Sequence, residues 1–306
     1  MTWNKQTLPY FIIFIGLMAV SSASVFIRFA QKDVPSLVIA AYRLTLATLI
    51  LFPFCLKGFI KEIFQTTWKQ KTALMMSGFF LALHFSTWIT SLEYTRVASS
   101  VVLVATTPLW VAILSPFLLK ERLDRWTAVG LVVALIGTVI VAISGNCQIN
   151  LTGLKCNQEG FQTRDLIGDG LALAGALFAS GYMIIGRKVQ QGLSFSSYIF
   201  SVYGSAAIVL IILVLASREA LVGYREISYF WMAALAIIPQ LIGHSSFNWA
   251  LKSLPAAYVA ITLLGEPVGT VILSMVFLKE IPTVMEVAGG VFILVGILLA
   301  SRLKRK

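Results

Sequence analysis

Ten apolar runs of about twenty residues each leave this chain few ways to fold. They lie at about 9–29, 35–57, 72–92, 98–119, 125–144, 166–187, 194–216, 229–249, 255–278 and 283–302. A helix needs roughly 20 mostly apolar residues to cross the hydrocarbon layer of a bilayer. Stretches such as Leu131–Ile136 and Ile208–Leu213 are continuously apolar, whereas the strands of a membrane barrel alternate. Composition removes the soluble alternative. Of the 306 residues 58% are hydrophobic and only 12% are charged, against about 25% charged in a soluble domain. So little charge cannot cover a water-facing surface. The expected fold is an all-α integral membrane protein with ten transmembrane helices. The first run is long, lacks a small-residue cleavage site and is followed by further runs, so it reads as a span rather than a signal peptide.

The net charge of +11 would suggest nucleic acid in a soluble chain. Here it sets topology, and no nucleic-acid partner is expected. With ten spans and a cytoplasmic N-terminus, the inner segments hold Lys5, Lys57, Lys61, Lys69, Lys71, Lys120, Arg122, Arg125, Arg187, Lys188, Lys252, Arg302, Lys304, Arg305 and Lys306. The outer segments hold Arg28, Lys32, Arg96, Lys155, Arg164, Arg218, Arg225 and Lys279. That is 15 against 8, and Arg43, inside a span, completes the 24. Basic residues concentrate on the cytoplasmic side of membrane proteins. Both termini are therefore expected in the cytoplasm of a multi-pass cell-membrane protein. The longest loop, about 145–165, then lies outside and carries Cys147 and Cys156. An oxidising compartment permits them to pair; two free thiols are the alternative. Asn150-Leu151-Thr152 matches a glycosylation sequon, a triplet that matters only in a eukaryotic secretory pathway.

The sequence also repeats itself. At an offset of 159 residues Gly16 meets Gly175, Arg28 meets Arg187, Leu92 meets Leu251, Ala98 meets Ala257 and Pro108 meets Pro267. Leu119-Lys120-Glu121 meets Leu278-Lys279-Glu280, Gly130 meets Gly289 and Gly137 meets Gly296. A constant offset across most of each half points to duplication. Five spans per half is odd, so the second half enters the membrane in the opposite sense. The expected division is a first repeat over 1–146, an external loop over 147–165 and a second repeat over 166–306. Inverted repeats are typical of secondary transporters, whose substrate site lies near the midplane between the halves.

These residues carry a family resemblance. Thr107-Pro108-Leu109-Trp110, then Lys120-Glu121-Arg122-Leu123, then Gly130 and Gly137 resemble the signature of the EamA family of the drug/metabolite transporter superfamily. A second copy runs through Leu264-Gly265-Glu266-Pro267, Leu278-Lys279-Glu280, Gly289 and Gly296. Ala250-Leu251-Lys252 and Arg43 also resemble the family pattern, which covers nearly the whole chain. The resemblance implies ten helices, a central cavity, alternating access and mainly efflux of amino acids, other metabolites or drugs.

Ionisable groups inside spans are functional candidates because burying charge in hydrocarbon is costly. Glu266 lies mid-span and precedes Pro267. Proline lacks an N–H and obstructs the carbonyl four residues earlier, here Leu263. Free backbone polarity beside a carboxyl group suits a cation, a proton or a substrate amine; interhelical bonding is the alternative. Its repeat partner is Thr107. The pair Gly265 and Gly269 would let another helix approach closely, and Pro108 and Pro267 are expected hinge or packing positions. Tyr258, Thr262 and Glu266 are four apart, as are Gln240, His244 and Asn248, so each set shares a helix face. His84 and Trp88 add a third face, with Ser100, Thr107 and Trp110 on the fourth span and Tyr182 on the sixth. His84 and His244 are the two histidines of the chain. Either suits proton coupling or a neutral imidazole bonded to Trp88, Asn248 or a backbone carbonyl. No cysteine or carboxylate joins them at ligand spacing, so no metal is expected. Arg43 has Val202 as repeat partner. It is read mainly as structural, with an anionic substrate group, Glu266 or outward snorkelling as its possible partners.

The expected pathway is therefore Glu266, His84, His244, Asn248, Trp88, Tyr258, Thr107, Trp110, Gln240 and Arg43. Glu121 and Glu280 read as boundary charges. No phosphate-binding G-x-x-x-x-G-K-[ST] appears, so an ion or solute gradient must supply the energy and no cofactor is expected. The leading function is a secondary transporter of a small metabolite, with lipid, solute and protons as partners. A membrane-embedded enzyme lacks a recognisable nucleophile, metal site or carboxylate pair, and a purely structural protein would have little loop surface for partners.

Overall fold

The computed structural model describes residues 8–95, 97–121, 123–144, 147–150, 153–156, 163–190, 193–278 and 284–301. Glu280, the C-terminal basic cluster and Leu151-Thr152 of the sequon lie outside them. The first repeat holds α1 (Leu8–Ser21), α2 (Ala23–Ala30), α3 (Ser36–Gln65), α4 (Trp68–Tyr94), α5 (Val97–Val104), α6 (Thr107–Leu118) and α7 (Arg125–Ser144). The second holds α8 (Thr163–Val189), α9 (Phe195–Ser217), α10 (Glu226–Leu235), a π-helical stretch over Ala236–His244, α11 (Ser245–Ala250), α12 (Ala256–Leu263), α13 (Glu266–Leu278) and α14 (Val284–Ser301). Among the described residues six continuous stretches are long and apolar enough to cross a membrane: Leu8–Ala30, Ser36–Gln65, Trp68–Tyr94, Leu166–Val189, Phe195–Ser217 and Glu226–Ala250. The remaining four apolar runs hold shorter helices.

Two of those four are broken at repeat-equivalent places. Pro108 and Pro267 stand second in α6 and α13. Their rings obstruct the carbonyls of Val104 and Leu263, the last residues of α5 and α12. The continuous helices expected over 98–119 and 255–278 are therefore pairs of half-helices. Pro116 lies inside α6 without ending it, and Pro239 sits within the π-helical stretch. Where chain ends turn polar, side chains start the helices. Thr67 accepts from the N–H of Gln70 in a reciprocal capping box before α4, and Ser194 accepts from that of Ser197 before α9.

One short hairpin departs from the all-helical expectation. β1 (Cys147–Asn150) pairs antiparallel with β2 (Gly153–Cys156) and sets Cys147 opposite Cys156. It falls in the stretch expected to be the external loop.

Glycines fix how the helices meet. A Cβ on Gly130 would lie 2.5 Å from the Gly296 carbonyl oxygen, and one on Gly137 2.5 Å from that of Gly289. The backbones of α7 and α14 thus touch twice, antiparallel and through repeat-equivalent residues. The same reciprocity joins α1 to the π-helical stretch and the start of α11, and α8 to α4. A Cβ on Gly16 would stand 2.7 Å from Ser246 Cβ, and one on its partner Gly175 3.3 Å from Trp88 Cβ. Between these pairs α3 packs on α9 around buried Leu44, Tyr198, Tyr203 and Leu210.

Candidate functional site

The broken helices, the π-helical stretch, α11 and the turns of α3, α4 and α8 around Arg43, His84 and Tyr182 line one cavity. Its empty volume is about 840 Å³ including its open mouth. Nine residues expected in the pathway or at its hinges line it: Arg43, His84, Trp88, Thr107, Pro108, His244, Asn248, Glu266 and Pro267. Most of its remaining lining is apolar, including Val20, Met183, Phe247 and Leu251. Thr107 and Glu266 begin α6 and α13, so both half-helix N-termini, with their partial positive charge, are presented to it.

Arg43 is 0% exposed, which excludes the snorkelling alternative. Its guanidinium carbon stands 4.0 Å from the Phe85 ring centroid, and its Nε donates to Gln240 Oε1 at 2.8 Å. Nη1 and Nη2 have no protein partner. A buried unsatisfied donor costs about 1–3 kcal/mol, more when charged. Two on one side chain facing a cavity call for an acceptor. Glu266 lines the same cavity.

His84 and His244 both pack against Phe85, with ring centroids 4.8 and 5.1 Å from it. His84 stacks on Trp88 at 5.8 Å. Its Nδ1 is 2.9 Å from the Gly175 carbonyl. A carbonyl only accepts, so Nδ1 carries a proton. The repeat explains the contact. Where half one has His84, half two has Gly243, and there α1 approaches so closely that a Cβ on Gly16 would stand 3.2 Å from the Gly243 carbonyl oxygen. In half one the imidazole occupies the equivalent seam and bonds across it to Gly175, the partner of Gly16.

A chain of hydrogen bonds backs the cavity. The Tyr182 hydroxyl donates to Asn248 Oδ1, Asn248 Nδ2 donates to the Tyr203 hydroxyl at 3.3 Å, and that hydroxyl lies 3.1 Å from Ser245 Oγ. Gln190 Nε2 holds the Asn248 carbonyl at 2.8 Å. Tyr203 escaped the sequence reading because it lies on α9, apart from every polar face. Its one signal was register: its neighbour Val202 is the repeat partner of Arg43.

Three expected faces are rearranged. Tyr258 and Thr262 belong to α12, whereas Glu266 begins α13, so the break turns Glu266 alone into the cavity. Tyr258 is instead buried edge-on to Tyr10 at 6.0 Å, and the Thr262 hydroxyl returns to the Val259 carbonyl at 2.6 Å. Ser100 on α5 bonds Ser91 at 2.6 Å, and Trp110 lies outside the cavity lining. Gln240 sits within the π-helical stretch, whose bonds span five residues rather than four. It faces Arg43 while His244 and Asn248 face the cavity. Gly265 and Gly269 stand behind, against Leu17 and Ser21 of α1, where close approach was expected. Ser21 Oγ reaches the Glu266 carbonyl at 3.3 Å.

Comparison with known proteins fits this arrangement. The model of the EamA-like transporter family matches residues 7–143 and again 166–302. An uncharacterized transporter of Clostridium kluyveri is 25% identical over 255 residues, spanning 82% of this chain and 78% of its own length. The uncharacterized transporter YetK of Bacillus subtilis is 24% identical over 305 residues, 95% of this chain and 88% of YetK. An uncharacterized transporter of Archaeoglobus fulgidus is 21% identical over 301 residues, 97% and 98% of the two chains. One crystal structure superposes with a TM-score of 0.75 at 18% identity over 98% of both chains, which shows a shared fold.

Proposed function

The chain belongs to the EamA-like transporter family, and from that premise we propose that it is a secondary transporter exporting a small metabolite by alternating access. All ten helical rods cross the cell membrane as two inverted five-helix repeats, and both termini lie in the cytoplasm. The two repeats rock about the central cavity. The observation that carries this reading is the pair Arg43 and Glu266 lining one buried cavity, with the guanidinium Nη groups unpartnered.

The favoured solute is an amino acid, amine or drug-like cation. Arg43 and the two helix N-termini receive a carboxylate, Glu266 receives an amine, and Trp88 and Phe247 flank an apolar body. Proton coupling follows from the repeat. In half one the Thr107 hydroxyl donates to the Val104 carbonyl at 2.7 Å, satisfying the group that Pro108 leaves free. The equivalent group in half two is the Leu263 carbonyl beside Glu266. A protonated Glu266 donates to it; an ionised one turns to the solute amine. Glu266 thus exchanges a proton for an amine at one place.

Proteoliposomes loaded with candidate solutes test the reading, and flux without chemical change separates transport from catalysis. Glu266→Gln mimics the protonated state. Transport driven by an imposed pH gradient is expected to fall at least about tenfold, the scale of one lost charged contact, while solute exchange at equal pH persists. Equal pH-driven flux in the variant would remove Glu266 from coupling.

A further inference from the structure

We propose that the cleft between α3, α4 and α9 holds one anionic phospholipid, its acyl chain along the cleft and its phosphate on Lys71. This cleft has an empty volume of about 1210 Å³ including its open side and shares no lining residue with the central cavity. It opens sideways between helices read as membrane spans, so the bilayer is what meets it. On α9 its lining runs from Phe200 to Ile211, about 16 Å at 1.5 Å per residue. That is close to half of the roughly 30 Å hydrocarbon thickness, the depth of one leaflet.

The chemistry changes along that depth. The lining away from Lys71 is mostly apolar: Ala207, Ile208 and Ile211 of α9 and Leu49 of α3 line it, the hydroxyls of Thr48, Ser201 and Ser205 are spent on carbonyls of their own helices at 2.8, 2.6 and 2.7 Å, and the Thr45 hydroxyl alone among these is unpartnered. Phe59 and Phe200, edge to face at 5.0 Å, form a wall nearer the end. At the end itself stand Trp68, an interfacial residue type, and Lys71. Lys57, Lys61 and Lys69 are exposed nearby on the last turns of α3 and the first of α4. Glu62, the acid in that stretch, accepts the Ser194 N–H at 3.0 Å, and no carboxylate lines the cleft among the described residues. The result is an apolar channel ending in an unneutralised cation, which matches a fatty chain joined to a phosphate. The basic bias places that end in the cytoplasmic leaflet, where anionic headgroups attract such clusters.

Gly204 keeps the channel open. A Cβ there would meet only Thr48 Cγ2, at an ordinary 3.6 Å. Alanine is therefore tolerated, and a larger side chain would fill the cleft without displacing backbone.

Native mass spectrometry of detergent-purified protein, titrated with dioleoyl phosphatidylglycerol or dioleoyl phosphatidylcholine, tests the site. The wild type is expected to keep one phosphatidylglycerol more tightly than phosphatidylcholine. Lys71→Gln should reduce that preference about fivefold, the contribution of one basic residue near the surface, while phosphatidylcholine, whose choline offsets its phosphate, loses less. Gly204→Leu should lose both lipids, and Gly204→Ala neither. Equal retention of the two lipids by the wild type overturns the proposal. So does an unchanged preference in Lys71→Gln, which would assign the lipid to the general annulus. Lys71→Gln decides the matter even if Gly204→Leu fails to fold.

Discussion

Arg43 shows what one residue contributes beyond its charge. It is wholly buried, yet only Nε is satisfied. A structural arginine would close its fork on a carboxylate or carbonyls. Two donors are left free next to the cavity, and under the proposed function a solute carboxylate meets them. The planar fork matters, because lysine offers a point charge without bidentate geometry. Arg43→Lys is therefore expected to raise KM about tenfold for solutes bearing a carboxylate, with a smaller effect on amines lacking one. A uniform loss across both solute classes in liposome uptake would mean that Arg43 only supports the fold. Sequence reading could single out Arg43, Glu266 and both histidines, because ionisable groups in apolar runs are rare. The partner atoms around Arg43 are invisible in one dimension.

At the scale of elements, proline position decided more than periodicity did. Spacing by four placed Tyr258, Thr262 and Glu266 on one face, and the rule holds only while the helix is continuous. Pro267 ends that continuity, so Glu266 turns away from Tyr258 and into the cavity. The obstructed carbonyl was legible beforehand; the new direction of the next half-helix was not, since it depends on how α13 packs against α1. The glycines of α7 and α14 were legible as close-packing sites, and the backbones do meet there. Their partners came only with the fold: Gly130 meets Gly296, and Gly137 meets Gly289. Gly137→Leu should cost about 1–3 kcal/mol by overpacking and lower the midpoint of thermal unfolding, measured in detergent. Gly58→Leu, with nothing near its Cβ position, should not. Equal midpoints for the two variants would contradict the contact.

For the whole molecule, the question is how the two repeats are held in one state. Arg187 Nε lies 2.9 Å from Glu121 Oε1, and its guanidinium also holds the Leu251 carbonyl. Glu121 Oε2 accepts the N–H of Ala256 at 3.2 Å, at the start of α12. One carboxylate thus ties the end of α6 to α8 and to the entry of the broken helix that carries Glu266. Glu121, a boundary charge at the end of α6, also ties the two repeats together, and Leu251 connects it to the cavity lining. Cutting the tie should open that end. A cysteine at Ala179, a cavity residue, should react with an impermeant thiol reagent from the cytoplasmic side at least about fivefold faster in Glu121→Gln, the low end of ordinary coupling energies. An unchanged labelling rate in inside-out vesicles would leave the bridge a static brace.

The sequence alone determined that this chain is helical, lives in lipid, repeats itself and carries a short set of intramembrane polar groups. Those properties follow from composition, run length and register, which are local or additive along the chain. Only the tertiary structure decided which polar groups share a cavity, which donors lack partners and where a lateral cleft opens. Each of those depends on distances between helices that are remote in sequence, and those distances are set by glycine contacts and proline breaks acting together.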